Sequence, residues 1–233
     1  MKRIAILTFV LILICSTVAF ASNEIKINAG VFDTVDADDI LYGGKASFRT
    51  DVFALAGVYD FLGLQYTGAG DFNSDFEYDH GFHDLNLLMF NQVTSVSDDL
   101  YMGLGGKYLL IENSSLLDDL PHENVYVDIA AFGLPVVVDA EEAFSEYFKV
   151  DLQGNFIPVG RYTIPIANHD DVNGSFMGYG VDLAIKLTPN ENFALQIGGT
   201  WQEYSFAEDE ELFFSQNFTD TQRGLYGGIE IAW

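Results

Sequence analysis

Positive charge and cysteine are both scarce in this chain. Its 233 residues include 10 lysines and arginines against 35 aspartates and glutamates, and the formal net charge is −25 at pH 7. So acidic a surface repels phosphate backbones, which excludes nucleic acid as a partner. The one cysteine, Cys15, has no second cysteine with which to form an internal disulfide. The fold must therefore be held by packing, hydrogen bonds and ion pairs.

Long apolar runs and proline are scarce too. After residue 21 no stretch reaches the roughly 18 unbroken apolar residues of a membrane-spanning helix. The chain has 5 prolines but 22 glycines, 20 phenylalanines and 12 tyrosines, a composition that favours many strands joined by turns. High net charge is typical of disordered chains, but a hydrophobic fraction of 49% excludes that class.

The N-terminus has the pattern of an export signal. Two basic residues precede an apolar run over residues 4–19, and a small-x-small cleavage site follows at 19–21. We therefore expect a signal peptide over 1–21 that is removed, and one domain over 22–233. Lipidation of Cys15 is not expected, because isoleucine rather than a small residue precedes it. The mature chain then has no thiol, and its 8 basic residues against 35 acidic ones give a net charge of −27.

Apolar and polar residues alternate with a period of two along most of the mature chain, which is the pattern of half-buried strands. It predicts an all-β domain of about ten strands, with eight or twelve as alternatives. The predicted strands are 24–33, 41–58, 61–70, 81–94, 100–112, 124–138, 145–160, 174–187, 193–204 and 222–233. Short polar connections, as at 95–99 and 188–192, alternate with longer ones. The longer connections are 34–40, 71–80, 113–123, 161–173 and 205–221.

The last predicted strand ends on the last residue of the sequence, and that residue is aromatic. Its two alternating sets are Leu225, Gly227, Ile229, Ile231 and Trp233 on one face and Tyr226, Gly228, Glu230 and Ala232 on the other. Together with the export signal, this strand resembles the closing strand of the bacterial outer-membrane β-barrels, which include the small OmpA-, OmpW- and opacity-like barrels. A soluble β-sandwich would show the same alternation, but the terminal tryptophan and the absence of disulfides favour the barrel.

The resemblance implies a closed antiparallel transmembrane β-barrel in the bacterial outer membrane, with both termini periplasmic. Outer-membrane lipid and lipopolysaccharide would surround it, and the barrel-assembly machinery would recognise the C-terminal strand. The residues expected to carry that recognition are Tyr226, Ile229, Ile231 and Trp233.

In a membrane barrel the apolar face of each strand meets lipid and the polar face lines the lumen. This assignment places Val125, Val127 and Ile129 of the sixth strand on the lipid face. An aromatic girdle near the strand ends would contain Trp201, Tyr108, Tyr179 and Trp233. It places six of the eight mature basic residues inside, together with six acids. The expected lumen charges are Lys26, Lys45, Arg49, Asp51, Asp84, Lys107, Asp128, Lys149, Asp151, Asp182, Lys186 and Glu230.

Buried charges must be paired, so we expect these residues to brace a narrow barrel as an ion-pair network. The leading hypothesis is a non-enzymatic integral membrane protein with a structural or surface-interaction role. The alternative is a narrow, low-conductance pore for ions or small solutes, in which the same charges select what passes.

The long connections are rich in acids, most densely at 36–39 and 208–211. We expect a solvated acidic rim without a cofactor or a metal site. Calcium bridging these carboxylates to lipopolysaccharide phosphates is the alternative, because clustered carboxylates suit hard cations. Neither run matches the spacing of a calcium-binding loop.

We expect no enzymatic activity. All four histidines, His80, His83, His122 and His169, lie in or beside predicted outer loops. The pairs His83-Asp84 and His169-Asp170 are superficially similar to the Asp–His pairs of the outer-membrane omptin proteases, but the other motifs of that family are not visible. No Ser–His constellation like that of lipid-modifying barrels is visible either. A rim hydrolase is the third hypothesis, with histidine as the base and aspartate as its orienting partner.

Overall fold

The computed structural model describes residues 23–34, 40–51, 60–70, 81–93, 99–114, 127–165, 171–208 and 218–233. The expected signal peptide and most of the long connections lie outside these ranges. The described residues form eleven strands and no helix long and apolar enough to cross a membrane. The strands are β1 (Asn23–Thr34), β2 (Leu41–Asp51), β3 (Phe61–Gly70), β4 (Gly81–Gln92), β5 (Leu100–Ser114), β6 (Val127–Gly133), β7 (Val136–Ser145), β8 (Phe148–Ile164), β9 (Val172–Asn190), β10 (Phe193–Glu208) and β11 (Phe218–Ala232).

The strands close into an antiparallel barrel. Successive strand positions are hydrogen-bonded to each other, and β1 pairs with β11 from Glu24 opposite Ala232 to Thr34 opposite Gln222. A closed sheet satisfies its own backbone groups and leaves no free edge. The predicted closed antiparallel barrel is confirmed.

The eleven strands occupy ten positions, because β6 and β7 are two halves of one interrupted strand. Both halves pair with β5 on one side and with β8 on the other. The break falls at Leu134 and Pro135, where proline has no N–H to donate. The wall stays joined there, since Leu134 N donates to the Val159 carbonyl at 3.2 Å and Gly105 N donates to the Pro135 carbonyl at 3.3 Å. Ten predicted strands thus match ten strand positions.

The sequence prediction was wrong about where the sixth strand ends. It placed a turn between residues 138 and 145, whereas β7 continues to Ser145 and the tight turn lies at Glu146 and Tyr147. Asp139, Glu141 and Glu142 make this stretch acidic, and an acidic strand was mistaken for a polar turn.

The two ends of the barrel differ. We call the end at Asn23 and Trp233, whose backbones exchange hydrogen bonds of 2.8 and 2.9 Å, the terminal end. We call the opposite end, where Thr34 and Glu208 lie, the loop end. The connections at the terminal end include the two-residue turns 146–147 and 191–192 but also the longer connection 52–60, whereas each connection at the loop end has at least six residues.

The outer surface of the barrel is apolar. The outward, exposed side chains are mostly aliphatic and include Ile27, Leu87, Leu104, Leu183, Ile197, Leu225 and Ile231. Tyr108, Tyr179 and Trp233 are also exposed, and the Tyr179 ring contacts that of Trp201 edge-on at 5.2 Å. A continuous apolar surface is the reverse of the arrangement found in water-soluble domains.

The predicted faces of β6 were wrong. Ile129, expected to meet lipid, is 0% exposed and points inward, while Phe132 on the opposite face is 57% exposed. Asp128 shares the parity of Phe132 and is itself exposed, so it lies outside the lumen. The rule that polar faces point inward failed here because the lumen at the loop end is apolar.

Candidate functional site in the lumen

Two apolar clusters, which together we call the aromatic cap, occupy the lumen at the loop end. Its members lie on nearly every strand: Phe32, Leu41, Ala69, Phe82, Leu109, Ile111, Ile129, Ala131, Ile157, Tyr162, Ile164, Val172, Phe176, Tyr204, Phe206 and Phe218. The rings of Phe206 and Phe218 stack at 4.6 Å, and those of Phe176 and Phe206 stack at 5.6 Å. Such packed rings leave no room for water.

Glycines in the wall make space for the cap. Gly133 and Gly160 pair across β6 and β8 directly beside the Phe176 ring. A Cβ atom at Gly160 would lie 2.1 Å from that ring, so only glycine allows the ring to pack flat against the backbone. Wall and cap are therefore fitted to each other.

A buried ion pair lies directly beneath the cap. Lys107 of β5 and Asp84 of β4 are in direct contact, and each side chain is 2% exposed. The Tyr204 hydroxyl donates to Asp84 Oδ2 at 3.2 Å, and Asn86 Nδ2 donates to Asp84 Oδ1 at 2.9 Å. Because these contacts join β4 and β5 to β10, the layer ties opposite walls of the barrel together.

The middle of the lumen holds a second polar layer. Lys45 of β2 pairs across the lumen with Asp182 of β9, which also accepts a hydrogen bond from the Tyr226 hydroxyl. Gln196 Nε2 donates to Asn28 Oδ1 at 2.7 Å.

A cluster of interlinked ion pairs lines one wall toward the terminal end. The Lys186 ammonium lies 2.7 Å from Glu141 and 2.9 Å from both Asp151 and Glu230. Lys26 lies 2.9 Å from Asp151, and Lys149 lies 2.7 Å from Glu141. Shared carboxylates join these pairs into one network, which offsets the cost of removing the charges from water.

The facing wall holds Arg49 among aromatic rings. Its guanidinium lies 3.3 Å from the centre of the Phe61 ring, 4.5 Å from that of Tyr101 and 5.7 Å from that of Phe90. These are cation–π distances. The guanidinium also faces Asp139 of β7, with Nη1 and Oδ2 separated by 3.9 Å.

Between these layers lies a polar cavity. Its volume, counted as the space open to the centres of water molecules, is about 90 Å³. Its lining includes the charged side chains of Lys26, Lys45, Arg49, Asp139, Asp151 and Asp182 and the neutral ones of Ser47, Gln65, Gln153, Asn155 and Gln196. The lining extends to Glu24, the second residue of β1, so the cavity reaches toward the terminal end.

Ten of the twelve expected lumen residues take part in these ion pairs. They are Lys26, Lys45, Arg49, Asp84, Lys107, Lys149, Asp151, Asp182, Lys186 and Glu230. Asp51 lies on the inward parity but is exposed at the end of β2, and Asp128 is outside. Of the expected recognition residues in the C-terminal strand, Tyr226 points inward, whereas Ile229, Ile231 and Trp233 point outward.

Sequence reasoning missed Asp139, Glu141 and the whole aromatic cap. The two acids fall in the stretch that was read as a turn, although Val137, Asp139 and Glu141 keep the period of two. Of the cap residues, only Ile129 was given a face, and polarity alone put it on the wrong one. Ile157 and Phe176 share the parity of the predicted inward residues Asp151 and Asp182, but apolar side chains were not expected in the lumen.

The expected hydrolase pair does not assemble. His83 and Asp84 are neighbours in β4, so their side chains leave opposite faces of the sheet. Asp84 is inside with Lys107, whereas His83 is outside, hydrogen-bonded through Nδ1 to the Tyr66 hydroxyl at 2.7 Å and 3.5 Å from Glu112. His80, His122, His169 and Asp170 lie outside the described residues. Within those residues, no group of three or more histidine, cysteine or acidic side chains is placed to hold a metal ion.

No family model and no curated protein matches the chain by sequence. Solved structures are similar to it in fold. Neisserial surface protein A is 10% identical, with 91% of this chain and 99% of that one covered and a TM-score of 0.41. The outer-membrane protease OmpT of Escherichia coli is 10% identical, with coverages of 91% and 96% and a TM-score of 0.49. The N-terminal β-barrel domain of OprF of Pseudomonas aeruginosa is 11% identical, with coverages of 90% and 97% and a TM-score of 0.30.

At such identities and TM-scores the likeness concerns the fold and carries no activity over to this chain.

Proposed function

We propose that this protein is an integral barrel of the bacterial outer membrane whose lumen is closed by its own side chains and whose role is structural or surface-interacting. The outer surface supports the membrane placement. Exposed aliphatic side chains cover the outside of the barrel, while ion pairs occupy the inside. Only lipid makes that arrangement favourable, because an equal area exposed to water would drive aggregation.

The main evidence for a closed lumen is the aromatic cap at the loop end together with the buried ion pair beneath it. The aromatic cap lies over an ion pair whose two side chains are 2% exposed. An open water channel would hydrate both charges. A ten-position barrel is narrow enough for side chains to fill it, so an open channel is not expected.

In this proposal both termini lie in the periplasm, and the acidic connections of the loop end face outward. Lipid and lipopolysaccharide contact the apolar wall. The barrel-assembly machinery recognises β11, of which Ile229, Ile231 and Trp233 are exposed to it. Interaction with a surface partner, or with calcium, would fall to the acidic connections, whose densest runs are 36–39 and 208–211. Except for Glu208, both runs lie outside the described residues.

Conductance of the refolded protein in a planar bilayer tests the closed lumen. The fold is first verified by heat-modifiable migration on a gel. We expect almost no current from folded protein. Steady single-channel steps from the wild type would contradict the closed lumen.

A narrow pore is the second candidate, and the polar cavity favours it. The cavity has room for water and has charged side chains on both walls, as an ion pathway does, but it occupies only part of the lumen. If the barrel conducts, neutralising Lys107 or Lys149 should change its ion selectivity. If the barrel is structural, neutralising the buried Lys107 should lower its stability, and both variants should leave the bilayer silent.

A further inference from the structure

The polar cavity contains one ion pair that is not closed. Three oppositely charged pairs line it. Lys26 and Asp151 are hydrogen-bonded at 2.9 Å, and Lys45 and Asp182 are in direct contact. Arg49 and Asp139, in contrast, face each other with 3.9 Å between the nearest nitrogen and oxygen, which is too long for a hydrogen bond.

Among the described residues, neither group of this open pair makes a hydrogen bond to a group of opposite charge. The guanidinium plane of Arg49 is held by the face of Phe61, which leaves its N–H edges directed away from the ring. Asp139 is hydrogen-bonded to a second acid, Asp151, and the Lys26 ammonium lies nearby. A donor edge therefore faces a locally acidic wall across a gap.

A small molecule with a carboxylate at one end and an ammonium at the other complements this arrangement. A carboxylate can accept two parallel hydrogen bonds from a guanidinium, and the ammonium can donate to Asp139. A molecule with only one of these charges leaves the other protein group buried and less well paired, which is unfavourable.

Size and neutral lining fit the same class of molecule. A cavity with about 90 Å³ open to the centres of water molecules holds several waters. That suits a free amino acid and excludes a folded peptide. Asn155 Oδ1, on the lining, is buried without a hydrogen-bond partner among the described residues and can accept one from a ligand.

We propose that the lumen binds a small zwitterion of the α-amino acid class, its carboxylate on Arg49 and its ammonium on Asp139. The site is reached from the terminal end. Binding does not require that the barrel conducts, so this inference goes beyond the structural role proposed above and does not depend on it.

The test uses L-serine and its two halves as probes of the refolded full-length barrel in detergent. Ethanolamine keeps the ammonium and hydroxyl of serine without the carboxylate, and 3-hydroxypropionate keeps the carboxylate and hydroxyl without the ammonium. Saturation-transfer NMR titrations give an affinity for each probe. We expect saturable binding of L-serine that is at least tenfold tighter than that of either half. Equal binding of all three, or no saturable serine signal from folded barrel, would overturn the proposal.

Two substitutions locate the site. Arg49→Gln and Asp139→Asn should each weaken L-serine binding at least tenfold. The control is Arg223→Gln, which removes one positive charge from the exposed outer face and should leave binding unchanged. Every variant is checked for heat-modifiable migration. The two substitutions lie on opposite walls, so if one variant fails to fold, the other still tests the site. Undiminished binding of L-serine by folded Asp139→Asn would refute the assignment.

Discussion

Lys107 and Asp84 show at the scale of single residues why the inside of this barrel is sensitive to substitution. Replacing Lys107 with methionine keeps most of the side-chain volume but leaves the carboxylate of Asp84 buried without its cation. Losing one partner of a buried pair typically costs about 3–5 kcal/mol. We expect Lys107→Met to lower the unfolding free energy by that amount in urea titrations followed by tryptophan fluorescence.

The matched control is Lys149→Met. Lys149 pairs with Glu141, but its side chain is 36% exposed, so water replaces the lost partner. Exposed pairs contribute about 0–1 kcal/mol. Equal losses for the two variants would mean that Lys107 is hydrated and that the cap does not seal the lumen.

Gly160 gives a second test at this scale. A methyl group there collides with the Phe176 ring, whereas one at Gly154 of the same strand meets nothing within 4 Å. Overpacking of this kind costs about 1–3 kcal/mol. Gly160→Ala should destabilise the barrel by that amount in the same urea titration, and Gly154→Ala should change its stability by less than about 0.5 kcal/mol. A harmless Gly160→Ala would show that Phe176 is not packed against β8.

Strands are the scale at which sequence reasoning succeeded most and failed most clearly. Period-two alternation located ten strand positions, because each face of most strands has a uniform character. It failed for β6, where Ile129 and Phe132 are apolar on opposite faces and only the pairing with β5 and β8 decides which is inside. The lumen charges were predictable because lysine on the lipid side is strongly disfavoured. The open pair of Arg49 and Asp139 could not be predicted, because its geometry depends on the register of strands far apart in sequence.

Strand β9 offers a test of membrane placement, because it is exposed on one face along its length. Leu183 lies near the middle of β9 and Met177 nearer the loop end, both outward and exposed. Arginine at the bilayer midplane costs about 2–4 kcal/mol, falling to about 0–1 kcal/mol near the interface. In lipid vesicles Leu183→Arg should therefore destabilise the barrel more than Met177→Arg. Equal, small effects would argue against burial of β9 in a bilayer.

The described residues form a closed wall whose interior differs along its length. Apolar side chains occupy the lumen toward the loop end, and charged side chains, beside a smaller apolar cluster of Phe61, Leu88, Phe90 and Val137, occupy it toward the terminal end. The two regions have different consequences for transport, because apolar rings exclude water while paired charges around a cavity retain it. The aromatic cap, rather than the ion-pair network, is therefore the layer that should prevent conduction. A barrel that carries no current could be blocked by the aromatic cap or by the ion-pair network, and substitutions in the cap distinguish these two causes.

Removing rings from the cap tests this division. The double substitution Phe176→Ala with Phe206→Ala deletes two stacked, buried rings directly above Lys107 and Asp84. Water should then reach the ion pair and join the cavity below, so we expect single-channel steps in a planar bilayer where the wild type gives none. The control is Phe144→Ala, which removes an aromatic ring that is 69% exposed on β7 and should leave the bilayer silent. If the double variant folds and stays silent, the barrier lies instead in the ion pairs of the terminal half, and neutralising Lys186 becomes the change that opens the lumen.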